Sequence, residues 1–244
     1  MELKKEIQGW HSPALNKHME IVSYGHYGFN LLLVPTAAAD FLEYERFLLI
    51  DALKPLINDG KLKVFSINSI NMESWLNDDM HPPHKAIRHN QFNDYVYKEV
   101  VPFIRNHSGA ESPIYTCGAS FGALHSMNLF LKRPDLINGV VAMSGCYDLS
   151  AYTKDYFDQE VYFNSPQHYL PNLNDHHTLE QIRKGKIFIL TGSGNYERPS
   201  ASKSFSEVLT MKGISHDLDV WGHDMPHDWP TWRAMLPYVI SSKL

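Results

Sequence analysis

Apolar positions along the chain alternate between short continuous runs and longer stretches with helical spacing. The runs 19–25, 29–35 and 62–69 are apolar enough to predict strands, and His26-Tyr27-Gly28 predicts the turn between the first two. Residues 43–58 carry apolar side chains three and four positions apart and end at Asp59-Gly60, which predicts a helix with a glycine stop. The first third of the chain therefore mixes strands and helices.

The same alternation continues to the end of the chain. Helical spacing predicts helices at 92–106, 121–132, 200–212 and 229–241, and apolar runs predict strands at 113–118, 138–144, 186–191 and 216–221. Before the first of these helices, the prolines of His81-Pro82-Pro83-His84 predict a rigid extended loop. Strands that alternate with helices indicate a parallel sheet flanked by helices, which is the α/β class.

One segment does not fit this alternation. Residues 146–178 are aromatic and polar, and they predict an insertion over one end of the sheet. We find no repeat or flexible linker that would divide the chain, so we expect a single domain over residues 1–244.

Composition narrows the functional class. The 244 residues are 43% hydrophobic and 20% charged, which is typical of a globular protein. The formal net charge of −5 provides no basic surface for nucleic acid or anionic membranes, and two cysteines exclude a disulfide scaffold. The sequence shows neither a secretory signal nor an apolar run of roughly 18 residues, so we expect a cytoplasmic protein. The unusual count is 14 histidines.

The strongest local motif is Gly118-Ala119-Ser120-Phe121-Gly122, between a predicted strand and a predicted helix. This context is typical of a G-x-S-x-G nucleophile elbow, in which the turn is so tight that side chains at the glycine positions would collide. The helix that starts behind Ser120 directs its N-terminal amides at the place where an oxyanion would develop. We therefore predict Ser120 as the nucleophile.

A nucleophilic serine needs a base and an acid, which follow it along the chain in this architecture. Glu197 lies just beyond the strand at 186–191 and is our predicted acid, with Asp148 as the alternative after the preceding strand. Two histidines, His223 and His227, follow the last predicted strand. We favour His227 as the base, because it directly precedes the closing helix.

Taken together, these features resemble the putative-esterase branch of the α/β-hydrolases, which includes enterochelin and feruloyl esterases, S-formylglutathione hydrolase and the mycolyltransferases. The resemblance covers nearly the whole chain. It rests on motifs at 10–13, 24–28, 34–36, 73–75, 118–123, 161–164 and, most specifically, His227-Asp228-Trp229-Pro230-Thr231-Trp232-Arg233. It implies a three-layer αβα sandwich with a mostly parallel central sheet, and it implies His227 as the catalytic base.

The resemblance also implies an oxyanion hole built from two backbone amides. One would come from Phe121, directly after the nucleophile, and the other from Ala37 or Ala38 in the loop after the second predicted strand. Where the family places Ser or Gly, this chain has Ala37-Ala38-Ala39. Backbone amides survive that change, but alanine resists some conformations that glycine permits.

We expect no metal site and no cofactor. The pairs His81/His84, His176/His177 and His223/His227 could be interpreted as ligands, but no H-E-x-x-H helix or C-x-x-C spacing accompanies them. Three aromatic residues, Trp75, Tyr147 and Trp229, are candidates for lining a substrate pocket, and a core role is the alternative for each.

The expected function is hydrolysis of a carboxylic ester through an acyl-enzyme, with a Ser120–His227–Glu197 triad. The alternatives are an acyltransferase or thioesterase of the same fold, and a binding protein that has lost catalysis. The expected partner is a small-molecule ester, not nucleic acid or a membrane. The sequence leaves the oligomeric state open, including a homo-oligomer.

Overall fold

A single eight-stranded sheet forms the centre of the protein in a computed structural model that describes residues 3–154 and 156–244. The strands are β1 Lys5–Ser12, β2 Lys17–Tyr24, β3 Phe29–Val34, β4 Leu62–Ile67, β5 Ile114–Ala119, β6 Gly139–Met143, β7 Lys186–Thr191 and β8 Asp217–Val220. Their order in the sheet is β1-β2-β4-β3-β5-β6-β7-β8.

Six strands, β3 to β8, run parallel to one another, and β2 is antiparallel to its neighbours β1 and β4. Side chains of β3 alternate between the two faces, with Leu31 and Leu33 in one apolar cluster and Leu32 and Val34 in the other. Because both faces are buried, these strands are almost continuously apolar, as parallel sheets require.

Helices cover both faces of the sheet. The helices are α1 Glu43–Arg46, α2 Leu49–Asn58, α3 Pro82–Tyr95, α4 Val101–Ser108, α5 Phe121–Lys132, α6 Gln159–Tyr162, α7 Pro166–Tyr169, α8 His176–Lys184, α9 Pro199–Met211 and α10 Trp229–Ser242. Helices α2 and α10 pack on one face, and α3, α4, α5, α8 and α9 contribute to the apolar cluster on the other. The predicted three-layer αβα sandwich and its mostly parallel sheet are confirmed.

Three local predictions were wrong or incomplete. The helix predicted over 43–58 is broken, because Leu48 adopts the left-handed conformation with φ 62°. The expected loop at His81–His84 is instead the start of α3, with Pro82 in the first turn, where a missing amide hydrogen costs nothing. From there the helical path continues through a π-helical turn, Val96–Val100, into α4. Strand β1 was not predicted, since its pattern is largely exposed.

In the described residues of the segment 146–178, every helical element is short. These are α6, α7, the start of α8 and two 3₁₀ turns, Ser150–Tyr152 and Leu170–Asn172. Its buried Asn164 accepts hydrogen bonds from Asn93 (3.0 Å) and Asn128 (3.1 Å), which tie it to α3 and α5. Across the described parts of the chain, we find no helix that is both long and apolar enough to cross a lipid bilayer.

Candidate active site

Ser120 lies at the sharp turn between β5 and α5, in a strained backbone conformation (φ 56°, ψ −121°). A Cβ on Gly118 would lie 2.3 Å from the backbone of Gly122, and a Cβ on Gly122 would lie 2.4 Å from the Val34 carbonyl. Both distances are far below van der Waals contact, so only glycine permits the turn. A non-glycine residue at positive φ costs of order 1–3 kcal/mol and is found mainly at functional sites.

His227 approaches Ser120 from the loop between β8 and α10. Its Nε2 atom lies 2.9 Å from the Ser120 hydroxyl, within hydrogen-bond range. The loops after β7 and β8 are tied together, because the His227 amide donates to the Asn195 carbonyl (2.9 Å) and the Gly194 amide donates to the Met225 carbonyl (3.0 Å). The other candidate base, His223, instead places Nδ1 beside the Ser193 carbonyl (3.1 Å).

Glu197 lies on the other side of the imidazole, with Oε2 3.5 Å from His227 Nδ1 and a side chain only 1% exposed. It also accepts hydrogen bonds from the hydroxyls of Ser144 (2.5 Å) and Thr191 (3.2 Å). Burial acts to raise the pKa of Glu197, but the hydrogen bonds from His227 and Ser144 outweigh it and hold the pKa below its ordinary value. A lowered pKa keeps this carboxyl ionised beside the imidazole.

Sequence reasoning missed the residues that hold Glu197. Ser144, directly after β6, adopts φ 52°, and its hydroxyl receives a hydrogen bond from Trp232 Nε1 (2.9 Å) while donating to Glu197. A line of contacts thus runs from Trp232 through Ser144, Glu197 and His227 to Ser120. The available signal was the position of Ser144 at the same edge of the sheet as Ser120.

Asp148, the alternative acid, is directed elsewhere. Its carboxylate accepts hydrogen bonds from the Ser150 amide (2.8 Å) and hydroxyl (2.7 Å) and lies 3.7 Å from His168 Nδ1. Of the two candidates, Glu197 is the carboxylate that the structure brings to His227.

The expected oxyanion donors differ in whether their amides already have a hydrogen-bond acceptor. The Phe121 amide donates to the Thr36 carbonyl (3.1 Å), so it is engaged in this structure. Thr36 is itself held by Glu43, which accepts from its amide (2.8 Å) and its hydroxyl (2.6 Å). Ala37 and Ala38 are exposed, and neither amide has an acceptor among the described residues.

A cavity of about 210 Å³ opens at the nucleophile. Its lining consists of Ser120, Phe121, Ser144, Gly145, Cys146, Tyr152, Tyr196, Arg198 and His227. Two of these residues, Cys146 and Tyr152, belong to the segment 146–178, which therefore contributes to the site.

None of the three aromatic residues predicted to line a pocket does so. Trp75 is buried against His89 (5.3 Å between ring centroids), and Tyr147 stacks on Phe205 (4.2 Å). Trp229 stacks on Phe47 at 4.5 Å with the two rings nearly parallel. Their size and aromaticity are used for packing.

Arg198 is the one guanidinium in the cavity lining. Among the described residues, no carboxylate lies within salt-bridge distance of it. Burial raises the pKa of the Tyr152 phenol, the Cys146 thiol adds to that rise, and the positive charge of Arg198 opposes it. Arg198 is therefore close to Tyr152 in the cavity lining.

Two other histidines, His89 and His125, are buried beneath the site and stack at 4.5 Å. Burial lowers the pKa of both, that of His125 to about 3. Over residues 3–154 and 156–244, no three His, Cys, Asp or Glu side chains converge as a metal site would require.

Comparison with known proteins finds a matching sequence family. Residues 68–240 match the sequence model of a family described as "Putative esterase". No curated protein is significantly similar to the chain in sequence.

Solved structures show the same fold at low sequence identity. A ferulic acid esterase is 16% identical with a TM-score of 0.76, over 99% of each chain. S-formylglutathione hydrolase from Staphylococcus aureus is 16% identical with a TM-score of 0.71, over 99% of this chain and 98% of that one. MPT51 from Mycobacterium tuberculosis is 14% identical with a TM-score of 0.72, over 98% and 97%. At such identities, the likeness establishes the α/β-hydrolase fold.

Proposed function

The chain belongs to the putative esterase family and is a carboxylic-ester hydrolase, and on that premise we propose that it works through an acyl-enzyme on Ser120. The observation that carries the proposal is the 2.9 Å contact between Ser120 Oγ and His227 Nε2, at the bottom of an open cavity. A serine hydroxyl becomes a competent nucleophile when an adjacent base accepts its proton. The proposed reaction uses no metal and no cofactor.

In the first half-reaction, Ser120 Oγ attacks the ester carbonyl carbon while its proton passes to His227 Nε2. The carbonyl π electrons move to oxygen and form a tetrahedral oxyanion. His227, now an imidazolium, returns the proton to the alcohol oxygen as the C–O bond breaks. Glu197, 3.5 Å from Nδ1, holds the imidazole in orientation and stabilises its positive charge.

In the second half-reaction, a water molecule takes the place of the departed alcohol. His227 accepts a proton from that water as the oxygen attacks the acyl carbonyl, and then returns it to Ser120 Oγ. The acid product leaves and the free enzyme is restored.

A fluorophosphonate probe tests the nucleophile directly, because it phosphonylates an activated serine. We expect the wild-type protein to be labelled and Ser120→Ala to remain unlabelled. Ser126→Ala, a buried serine of α5 away from the cavity, is the matched control and should label like the wild type. Equal labelling of wild type and Ser120→Ala would exclude the proposal.

One observation bears on how the oxyanion is held during turnover. The Phe121 amide is engaged by the Thr36 carbonyl, and an oxyanion could not bind there without displacing it. Turnover of para-nitrophenyl acetate above the level of Ser120→Ala tests that displacement, because a site that stayed blocked would show none.

A further inference from the structure

The loop that follows β3 is held firmly by hydrogen bonds on both sides of one peptide unit, and that unit itself is held weakly. On one side, the Thr36 amide and hydroxyl are held by the buried carboxylate of Glu43. On the other side, the Ala37 carbonyl accepts from Asn71 Nδ2 (2.7 Å) and from the Ser69 hydroxyl (2.8 Å). The peptide unit between these two anchors has a single contact, from its Thr36 carbonyl to the Phe121 amide.

This pattern allows one peptide to turn while its neighbours stay in place. Rotation of the Thr36–Ala37 peptide about the line joining its two Cα atoms changes ψ of Thr36 and φ of Ala37. It moves the Thr36 carbonyl away from Phe121 and brings the Ala37 amide hydrogen to the same side. Neither anchor lies within the rotating unit, so neither hydrogen-bond set has to break.

Asn71 is the buried part of the second anchor, with 2% of its surface exposed. Its Oδ1 atom lies 2.9 Å from Nε2 of His125, a residue of helix α5, which begins directly after Ser120. Because Nδ2 donates to Ala37, Oδ1 must accept, and His125 must carry its proton on Nε2. His125 is buried and stacks on His89 (4.5 Å) and against Phe121 (4.6 Å), which fixes the ring.

We propose that Asn71, oriented by His125, is a positioning residue that holds the Ala37 carbonyl in place. With that carbonyl held, the Thr36–Ala37 peptide turns and presents the Ala37 amide to the oxyanion, where the Phe121 amide is the second donor. This inference rests on the proposed function. In the resting arrangement the Thr36 carbonyl fills the place of the oxyanion. The developing negative charge repels that carbonyl and attracts the amide, so substrate itself favours the turned peptide.

The consequence is specific to the transition state. Loss of the Asn71 amide leaves the Ala37 carbonyl with one hydrogen bond in place of two, so the loop restrains the turned peptide less tightly. Ground-state substrate makes little use of the oxyanion hole, whereas the tetrahedral intermediate depends on it. Removing one oxyanion donor typically costs about 10²- to 10³-fold in kcat, and misplacing one should cost less, about 10- to 100-fold.

The test compares Asn71→Ala with Asn93→Ala, which changes another buried asparagine, whose side-chain amide donates to Asn164 away from the loop. For para-nitrophenyl acetate, we expect Asn71→Ala to lower kcat about 10- to 100-fold with KM within about threefold. We also expect its affinity for a phenylboronic acid, whose tetrahedral adduct places an oxygen in the hole, to fall by the same factor as kcat/KM. Asn93→Ala should alter thermal stability but neither kinetic readout.

Ser69→Ala provides a second variant, because it removes the other donor to Ala37 from a partly exposed position. It should lower kcat and boronate affinity together, by about three- to tenfold. If Asn71→Ala does not fold, Ser69→Ala decides. The positioning role is overturned if Asn71→Ala has the same kcat and boronate affinity as Asn93→Ala. It is also overturned if Ser69→Ala keeps the wild-type kcat. Failure of the proposed function itself is distinct, since the wild type would then show neither turnover nor fluorophosphonate labelling.

Discussion

Replacing Glu197 with glutamine should disable catalysis while leaving the shape of the site intact. The carboxylate lies 3.5 Å from His227 Nδ1, with the two side chains 1% and 25% exposed. At an effective dielectric constant of about 20, a pair of unit charges at this separation interacts by roughly 5 kcal/mol. Because part of the imidazole faces solvent, we discount this to about 3–4 kcal/mol of imidazolium stabilisation. Such a loss corresponds to about a 10²- to 10³-fold lower kcat.

The assay is steady-state hydrolysis of para-nitrophenyl acetate, with the thermal midpoint of unfolding as a check on folding. Two variants serve as controls. Asp148→Asn changes the other candidate acid, whose carboxylate lies beside Ser150 and His168, and Glu207→Gln changes an exposed glutamate of α9. Both should retain kcat within about threefold of wild type. A folded Glu197→Gln that retains more than about a third of wild-type kcat would refute the electrostatic reasoning, as would a larger loss in Asp148→Asn.

Two further predictions concern charge in the cavity and in the core. Arg198→Gln should lower the kcat/KM ratio of mono-para-nitrophenyl succinate to para-nitrophenyl pentanoate by about three- to fivefold, since an exposed ion pair contributes only about 0.2–1 kcal/mol. Lys203→Gln should leave that ratio at its wild-type value, and an unchanged ratio in Arg198→Gln would contradict a role for Arg198 in binding anionic esters. Burial lowers the pKa of His89 well below its ordinary value, so below about pH 6.5 the unfolded chain binds a proton that the folded chain does not. Urea denaturation should therefore show His89→Leu losing about 2 kcal/mol less stability between pH 7 and pH 5 than the wild type, with His176→Gln as the exposed control. Equal losses in His89→Leu and wild type would contradict this.

Features set by local chemistry were predictable from the sequence. The turn at Ser120 was predictable because glycines on both sides of a serine, between a strand and a helix, satisfy a steric requirement within five residues. The position of His227 followed from chain order, since the last strand of a parallel sheet ends at the same edge as the nucleophile. The closing helix likewise begins at Trp229, as its periodicity predicted.

Features set by contacts between distant segments were not predictable. Ser144 donates to Glu197, which lies 53 residues later in the sequence, and accepts a hydrogen bond from the Trp232 indole, which lies 88 residues later. Asn71 reaches Ala37 and His125 in the same way, and nothing in its own neighbourhood distinguishes it from a surface loop residue. Prolines were ambiguous for a different reason, because Pro82 suits both an extended loop and the first turn of a helix.

The hydrogen bonds that hold the loop after β3 explain how it can do without glycine at Ala37-Ala38-Ala39. These three alanines raised the question whether a loop without glycine could form an oxyanion hole. Glu43 holds the chain before them at Thr36, and Asn71 holds the backbone carbonyl of Ala37, so neither anchor acts on an alanine side chain. Because Ala37 and Ala38 are exposed, their methyl groups meet no packing demand. The position of the loop is therefore set by Glu43 and Asn71, which lie outside it. The narrower backbone conformations open to alanine affect only the rotation of the Thr36–Ala37 peptide.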